Sequence, residues 1–209
     1  MREAAEAGDI AAMTTPTREI ELKFMLDAPG AAAVLAALPP GEAAVLDMAA
    51  TYFDTADHWL RRNGFGLRVR RTGAERIQTL KSALGADGGR DEWEWPVPGD
   101  APDPALLATT PAALPPGAGL TPLFTVTSRR TLRMVEVDEA LIELVIDDAR
   151  VEAGDRHDAF LELELELKAG DVAALATLAA RLSATAALTP TGLTKAGRGF
   201  RLLAADGQT

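Results

Sequence analysis

The chain has 209 residues, 47% apolar and 25% charged, with a net charge of −10 and no cysteine. That length holds one sizeable domain or two small ones, and the apolar share is enough for a core. Disulfides, zinc–thiolate sites and thiol nucleophiles are excluded, and the acidic balance argues against broad binding to nucleic acid or anionic lipid.

Residues 1–16 are Ala-rich and acidic and end in Thr14-Thr15-Pro16, which reads as a flexible tail. Glu3, Glu6 and Asp9 stand where a secretory signal would be basic or apolar, and no run approaches a membrane span, so the expected location is cytoplasmic. A strand is predicted over 18–26. Pro29-Gly30 opens a helix near 30–38, which Pro39-Pro40-Gly41 closes. A second strand is predicted over 45–53, then a short helix over 56–62 capped by Asp54 or Thr55 and stopped by Gly64. Gly66 to Arg71 reads as a strand, and 76–83 with 90–97 as a hairpin around the glycines at 85–89. Residues 96–122 hold eight of the thirteen prolines and read as a loop-rich excursion with a helical turn near 104–108. Strands resume over 126–137, 141–147 and 160–168. An amphipathic helix follows over 171–184, with Val172, Leu175, Leu178, Ala179 and Leu182 on one side. The chain closes with Lys195, Arg198 and Arg201 in 191–203. Seven or eight antiparallel strands with few helices imply a β-dominated α+β fold, either a barrel or a strongly curved sheet.

Four of these strands alternate charge with apolar residues. Glu19, Glu21 and Lys23 alternate with Ile20, Leu22 and Phe24; Arg68 and Arg70 with Leu67 and Val69; Glu92 and Glu94 with Trp93 and Trp95. Glu162, Glu164, Glu166 and Lys168 alternate with Leu161, Leu163, Leu165 and Leu167. A side-chain period of two puts each charged set on one face. One such face is commonly a solvated one. These faces are largely single-signed, however, and like charges side by side on a wet sheet repel. An interior lined by them needs ligands to offset desolvation. Phosphoryl transfer fits: carboxylates hold Mg²⁺ or Mn²⁺, and Arg and Lys neutralise phosphate oxygens. Only three serines occur, none in G-x-S-x-G, and no P-loop motif is present. His58 and His157 read as surface residues.

Glu19-x-Glu21-x-Lys23 resembles the signature of the CYTH superfamily, the triphosphate tunnel metalloenzymes. Thr51-Tyr52-Phe53-Asp54-Thr55, Gly66-Leu67-Arg68-Val69-Arg70, Leu80-Lys81, Arg90-x-Glu92, Glu162-x-Glu164-x-Glu166 and Leu193-Thr194-Lys195-Ala196 resemble its later blocks in order. The likeness is to the bacterial inorganic triphosphatase branch, in which a helical CHAD domain often follows. It implies one tunnel domain over 17–205, an eight-stranded antiparallel closed β-barrel with a few peripheral helices. The chain ends just after the last block, so either a fragment of a longer parent chain or a stand-alone form is expected; oligomeric state stays open.

The resemblance places Glu19, Glu21, Glu162 and Glu164 at divalent metal, Mg²⁺ or Mn²⁺. It places Lys23, Arg68, Arg70, Lys81, Arg129 and Lys195 on phosphate, and Lys23 and Glu21 in catalysis. Arg130 shares the ambiguity of Arg129. Glu92, Glu143, Asp147 and Glu166 lie on tunnel-facing strands with roles left open, and Arg71 is expected outside. The implied activity is metal-dependent hydrolysis of inorganic triphosphate to pyrophosphate and phosphate. The alternatives are a thiamine- or nucleoside-triphosphatase, an adenylate cyclase, or a non-catalytic polyphosphate-binding module. Lys23 can serve as a base only if neighbouring cations lower its pKa, whereas the adjacent glutamates raise it.

Overall fold

The charged strands form as the alternation predicts, and most run longer than the sequence pattern marks. The computed structural model describes residues 15–204; most of the expected N-terminal tail lies outside them. In chain order the elements are β1 (Thr17–Leu26), α1 (Ala28–Ala37), β2 (Ala44–Asp54), α2 (Trp59–Arg62), β3 (Phe65–Thr72), β4 (Glu75–Ser82) and β5 (Gly89–Pro96). A 3-10 turn (Pro104–Leu107) lies in the proline-rich excursion. Then come β6 (Thr121–Val137), β7 (Ala140–Ala153), β8 (Arg156–Ala169), α3 (Ala173–Ser183), β9 (Thr189–Pro190) and α4 (Lys195–Ala204). The hydrogen-bonded strand order is β5-β4-β3-β2-β6-β7-β8-β1-β9, and a further β5–β1 pairing closes it. The fold class is therefore the closed eight-stranded antiparallel barrel, with β9 a two-residue addition to β1.

The described residues fall into two compact units. The first comprises residues 15–19 and 49–125. Its core gathers Phe53, Leu60, Leu67, Val69, Leu80, Trp93, Trp95 and Leu107, so the tryptophans of β5 are packing residues, as their alternation with Glu92 and Glu94 requires. Helix α2 is shorter than predicted because His58, in the left-handed region at φ 56°, stands where the helix begins. Both predicted caps nonetheless act on it. The Leu60 and Arg61 N–H groups donate to the Asp54 carboxylate at 2.8 and 3.0 Å, and the Trp59 N–H donates to Thr55 Oγ1 at 2.8 Å. Gly64, at φ 79°, ends the helix where an L side chain would be strained.

The second unit comprises residues 20–48 and 126–204. Strand β8 lies between β1 and β7, with Lys23 opposite Glu164 and Glu21 opposite Glu166 on one side. On the other side Asp147 lies opposite Glu162 and Glu143 opposite Glu166. The apolar faces of β7 and β8 carry Ile142, Leu144, Ile146, Leu163 and Leu165, packed with Val34 and Leu38 near α1 and with Leu175, Leu178 and Leu182 of α3. Each fully buried Leu contributes roughly 1.5–3 kcal/mol. Val172 does not join this stripe: it precedes α3 and is exposed. With the apolar face covered, the other face of β8 is buried too, and Glu162 and Glu164 are on it.

Candidate active-site clusters

In the first unit the charged groups assemble around one carboxylate. Glu19 is buried, and Lys81 Nζ donates to its Oε1 and Oε2 at 2.8 and 3.0 Å while Arg90 Nε donates to Oε2. Lys81, paired across β4–β5 with Glu92, also lies 3.1 Å from Glu92 Oε1. Burial alone would raise the Glu19 carboxyl, but the charge of Lys81 and the hydrogen bond from Arg90 outweigh it and hold the group down at about 2. On β3, Arg68 and Arg70 share the face opposite to the buried Leu67 and Val69. Burial opposes the charge on Arg68, and the Tyr52 oxygen and Glu92 restore it; its Nε is buried without a hydrogen-bond partner. Arg70 lies 3.4 Å from Glu94, which also accepts from Thr79 Oγ1 at 3.0 Å. Arg71 is exposed, as expected.

The second unit has the reverse balance. Lys195 Nζ sits 2.8, 2.6 and 2.9 Å from Asp147, Glu162 and Glu164. Arg130 grips Asp147 with both Nε (2.9 Å) and Nη2 (2.7 Å), and Nη2 reaches Glu164 at 3.2 Å. Lys23 Nζ donates to Glu164 Oε1 and lies 3.0 Å from Glu21. Four carboxylates thus face three cations. Burial pushes Glu162 up against the pull of Lys195, and the neighbouring Glu164 adds to the rise. Burial acts on Glu164 in the same sense, but Lys195, Lys23 and Arg130 together hold it well below the usual range. Burial disfavours the Lys23 ammonium, yet the charges of Glu164 and Glu21 raise its pKa overall. These two carboxylates thus favour the charged form of Lys23.

The second cluster suits a divalent cation. Asp147, Glu162 and Glu164 each offer an oxygen, all within 4.8 Å of one another. Glu162 is fully buried, and its Oε2 has no hydrogen-bond partner. An orphaned buried carboxylate oxygen is costly, and hard oxygen donors are what Mg²⁺ or Mn²⁺ takes.

Of the expected site residues, Lys23, Glu21, Glu162, Glu164 and Lys195 come together in the second unit, and Glu19 and Lys81 in the first. Arg68 and Arg70 line β3 there. Arg129, expected on phosphate, stands apart from both clusters. It is exposed, and Arg130 occupies the cluster, because Ser128 and Arg130 continue the alternation of the buried Val126. Sequence reasoning also missed Arg90 as a partner of Glu19, although it shares a β5 face with Glu92 and Glu94. Asp147, whose role the sequence leaves open, stands opposite Glu162 in the register of β7 and β8 and joins the cluster.

Comparison with known proteins agrees with this architecture. Residues 17–200 match the CYTH domain family, and the chain belongs to that family. An inorganic triphosphatase of Haemophilus influenzae is 31% identical over 157 residues, spanning 73% of this chain and 45% of that protein. The chain thus spans less than half the length of this curated relative. Among solved structures, a Hippeastrum protein described as a candidate adenylyl cyclase with dominant triphosphatase activity superposes with a TM-score of 0.61 at 21% identity, covering 90% of this chain and 96% of that one. A Pyrococcus horikoshii protein superposes at 0.58 with 17% identity, covering 91% and 99%. These two likenesses establish the fold alone.

Proposed function

We propose that the chain is a metal-dependent triphosphatase that cleaves inorganic tripolyphosphate to pyrophosphate and phosphate. The observation that carries this reading is the buried cluster in which Asp147, Glu162 and Glu164 meet Lys23, Arg130 and Lys195, with Glu162 Oε2 unpartnered. The family and the inorganic triphosphatase relative support it.

In this proposal the cation-holding carboxylates are Glu21, Asp147, Glu162 and Glu164 in the second unit's cluster, while Glu19, expected at the metal, has both oxygens engaged and holds Lys81 and Arg90 in the first. A bound Mg²⁺ or Mn²⁺ supplies charge neutralisation for the phosphates and activation of the attacking water. Lys23, Arg130 and Lys195 bind phosphate oxygens and offset the charge that builds there. Within the first unit's own cluster, Arg68, Arg70, Lys81 and Arg90 are the groups offered to bind phosphate oxygens. Lys23 acts as a cation toward phosphate, placed beside Glu164 and Glu21. Glu21 keeps Lys23 in place. Water adds to the terminal phosphorus, the bridging P–O bond breaks, pyrophosphate leaves with the bridging oxygen, and the proton lost by the water passes to a product oxygen or to solvent.

Phosphate release should be measured on a panel of tripolyphosphate, thiamine triphosphate and ATP, each with and without Mg²⁺ or Mn²⁺. The reading expects the highest kcat/KM on tripolyphosphate and none without metal. Higher kcat/KM on an organic triphosphate would replace the substrate; binding without turnover under any metal would leave only a polyphosphate-binding module.

A further inference from the structure

Helix α4 lies on β8 and touches it at three places. At its first residue, Lys195 reaches Glu162 and Glu164. One turn on, Arg198 meets Asp158 and Phe160. Near the end, Arg156 Nη1 donates to the Leu202 carbonyl at 2.9 Å. Helix position thus rises as strand position falls, so the helix runs against the strand. Asp158, Phe160, Glu162 and Glu164 alternate along β8 and share one face. Lys195 and Arg198 are three apart and share one helix face.

Arg198 is the most elaborated of the three contacts. Its side chain is only 9% exposed. Nη1 lies 2.7 Å from Asp158 Oδ2, Nη2 lies 2.9 Å from the Met25 sulfur, and the guanidinium carbon stands 3.9 Å from the centre of the Phe160 ring. Met25 is paired with Glu162 across β1–β8, so Arg198 is fastened to the strand pair that also carries Lys23, Glu162 and Glu164. Its Nε is buried without a partner. An apolar side chain would fill this place without that cost; the planar fork, held between an acid, a ring and a thioether, fixes one register instead. Lys195 has a flexible stem and depends on its backbone for aim. Thr194 caps the helix start through the Gly197 N–H at 3.0 Å, but that contact is local and does not tie the helix to the strand.

We propose that Arg198 is a positioning residue: by pinning α4 to Asp158, Phe160 and Met25 it sets where the Lys195 ammonium stands against Glu162 and Glu164. The inference rests on the proposed triphosphatase reading for its kinetic consequence, but its structural content can be read without turnover. The chain has four lysines, Lys23, Lys81, Lys168 and Lys195, so ¹⁵N-lysine labelling of the full chain gives a sparse ammonium spectrum. Lys195→Met assigns the Lys195 signal, which slow solvent exchange should make visible in the ligand-free protein.

In Arg198→Gln the Lys195 signal should shift or broaden into solvent exchange while that of Lys81 stays in place. kcat/KM for tripolyphosphate should fall about tenfold with kcat carrying most of the loss, the pattern of an interaction that strengthens in the transition state. Arg198→Lys should restore part of both effects. Asp158→Asn, which changes a more exposed partner, should move the Lys195 signal in the same direction by less, and decides the question if Arg198→Gln does not fold. An unmoved Lys195 signal in the folded variant, even with lowered stability, overturns the inference and leaves Arg198 a packing residue. A wild-type protein without triphosphatase activity overturns the functional reading alone, and the Lys195 signal still decides this one.

Discussion

The two charged clusters use the same residue types in opposite proportion. In the first unit one buried carboxylate, Glu19, is held by two cations, and both its oxygens are engaged. In the second, Asp147, Glu162, Glu164 and Glu21 share Lys23, Arg130 and Lys195, and one oxygen of Glu162 is left over. Glu19 is pulled down to about 2; in the second cluster the cations hold Glu164 and Asp147 down, and burial pushes Glu162 up. A strand reading Glu-x-Glu-x-Lys cannot reveal this, because the balance is set by what faces it. Surplus carboxylate marks where a cation is wanted; surplus base marks where an anion is wanted.

The contrast can be broken by mutation. The largest effect is expected for Glu162→Gln, which removes the surplus charge: phosphate release from tripolyphosphate should fall by about 100-fold or more at fixed metal, a loss of the size seen when one electrostatic group leaves an active site. Lys195→Met should destabilise the metal-free protein by about 3–5 kcal/mol, because it leaves Asp147, Glu162 and Glu164 buried together with one cation fewer. Added Mg²⁺ or Mn²⁺ should return much of that loss, as seen in thermal melting with and without metal; Lys81→Met should show no such return. In the first unit, Lys81→Met should instead raise KM for tripolyphosphate about tenfold and leave the metal concentration for half-activity in place.

Acid sharpens the comparison further. The Glu19 carboxyl is depressed from its ordinary 4.5 to about 2 on folding, so its contribution is fully present above the unfolded value and is lost as pH falls through the folded one. Urea unfolding of the wild type should weaken between those two values, and Glu19→Gln should flatten that limb. The smallest effect is expected at Arg129: Arg129→Ala should stay within about 0.5 kcal/mol of wild type, as exposed sites do, and leave phosphate release within about twofold. Arg130→Ala, which strips both bonds from Asp147, should lower both stability and activity.

Much of the fold was legible because period-two alternation is strong in β1, β3, β5 and β8, where Leu, Ile, Val or Trp flank each charge. It was weaker where nothing flanked it. In Thr127-Ser128-Arg129-Arg130-Thr131 no apolar residue stands directly beside either arginine, and the parity that joins Arg130 to Val126 becomes readable once Val126 is seen to be buried. Strand β7 runs to Ala153 although the sequence pattern ends near Asp147; Ala149, Val151 and Ala153 are buried on the face of Asp147 and not on that of Ile142, Leu144 and Ile146, so the apolar parity switches along the strand and hides the period. The grouping of Asp147 with Glu162 and Glu164 depends on the register of β7 against β8, a non-local pairing that no spacing along the chain encodes. Arg90 was visible beside Glu92, but its partner Glu19 lies 71 positions away.

The most direct test of the central claim is phosphate release from tripolyphosphate followed across a Mn²⁺ titration, for the wild type and for Glu162→Gln. The account predicts strictly metal-dependent release by the wild type, and in the variant a metal concentration for half-activity raised about tenfold or more, along with the lower rate. Equal Mn²⁺ dependence in the two proteins, or release by the wild type in the presence of a chelator, would contradict it.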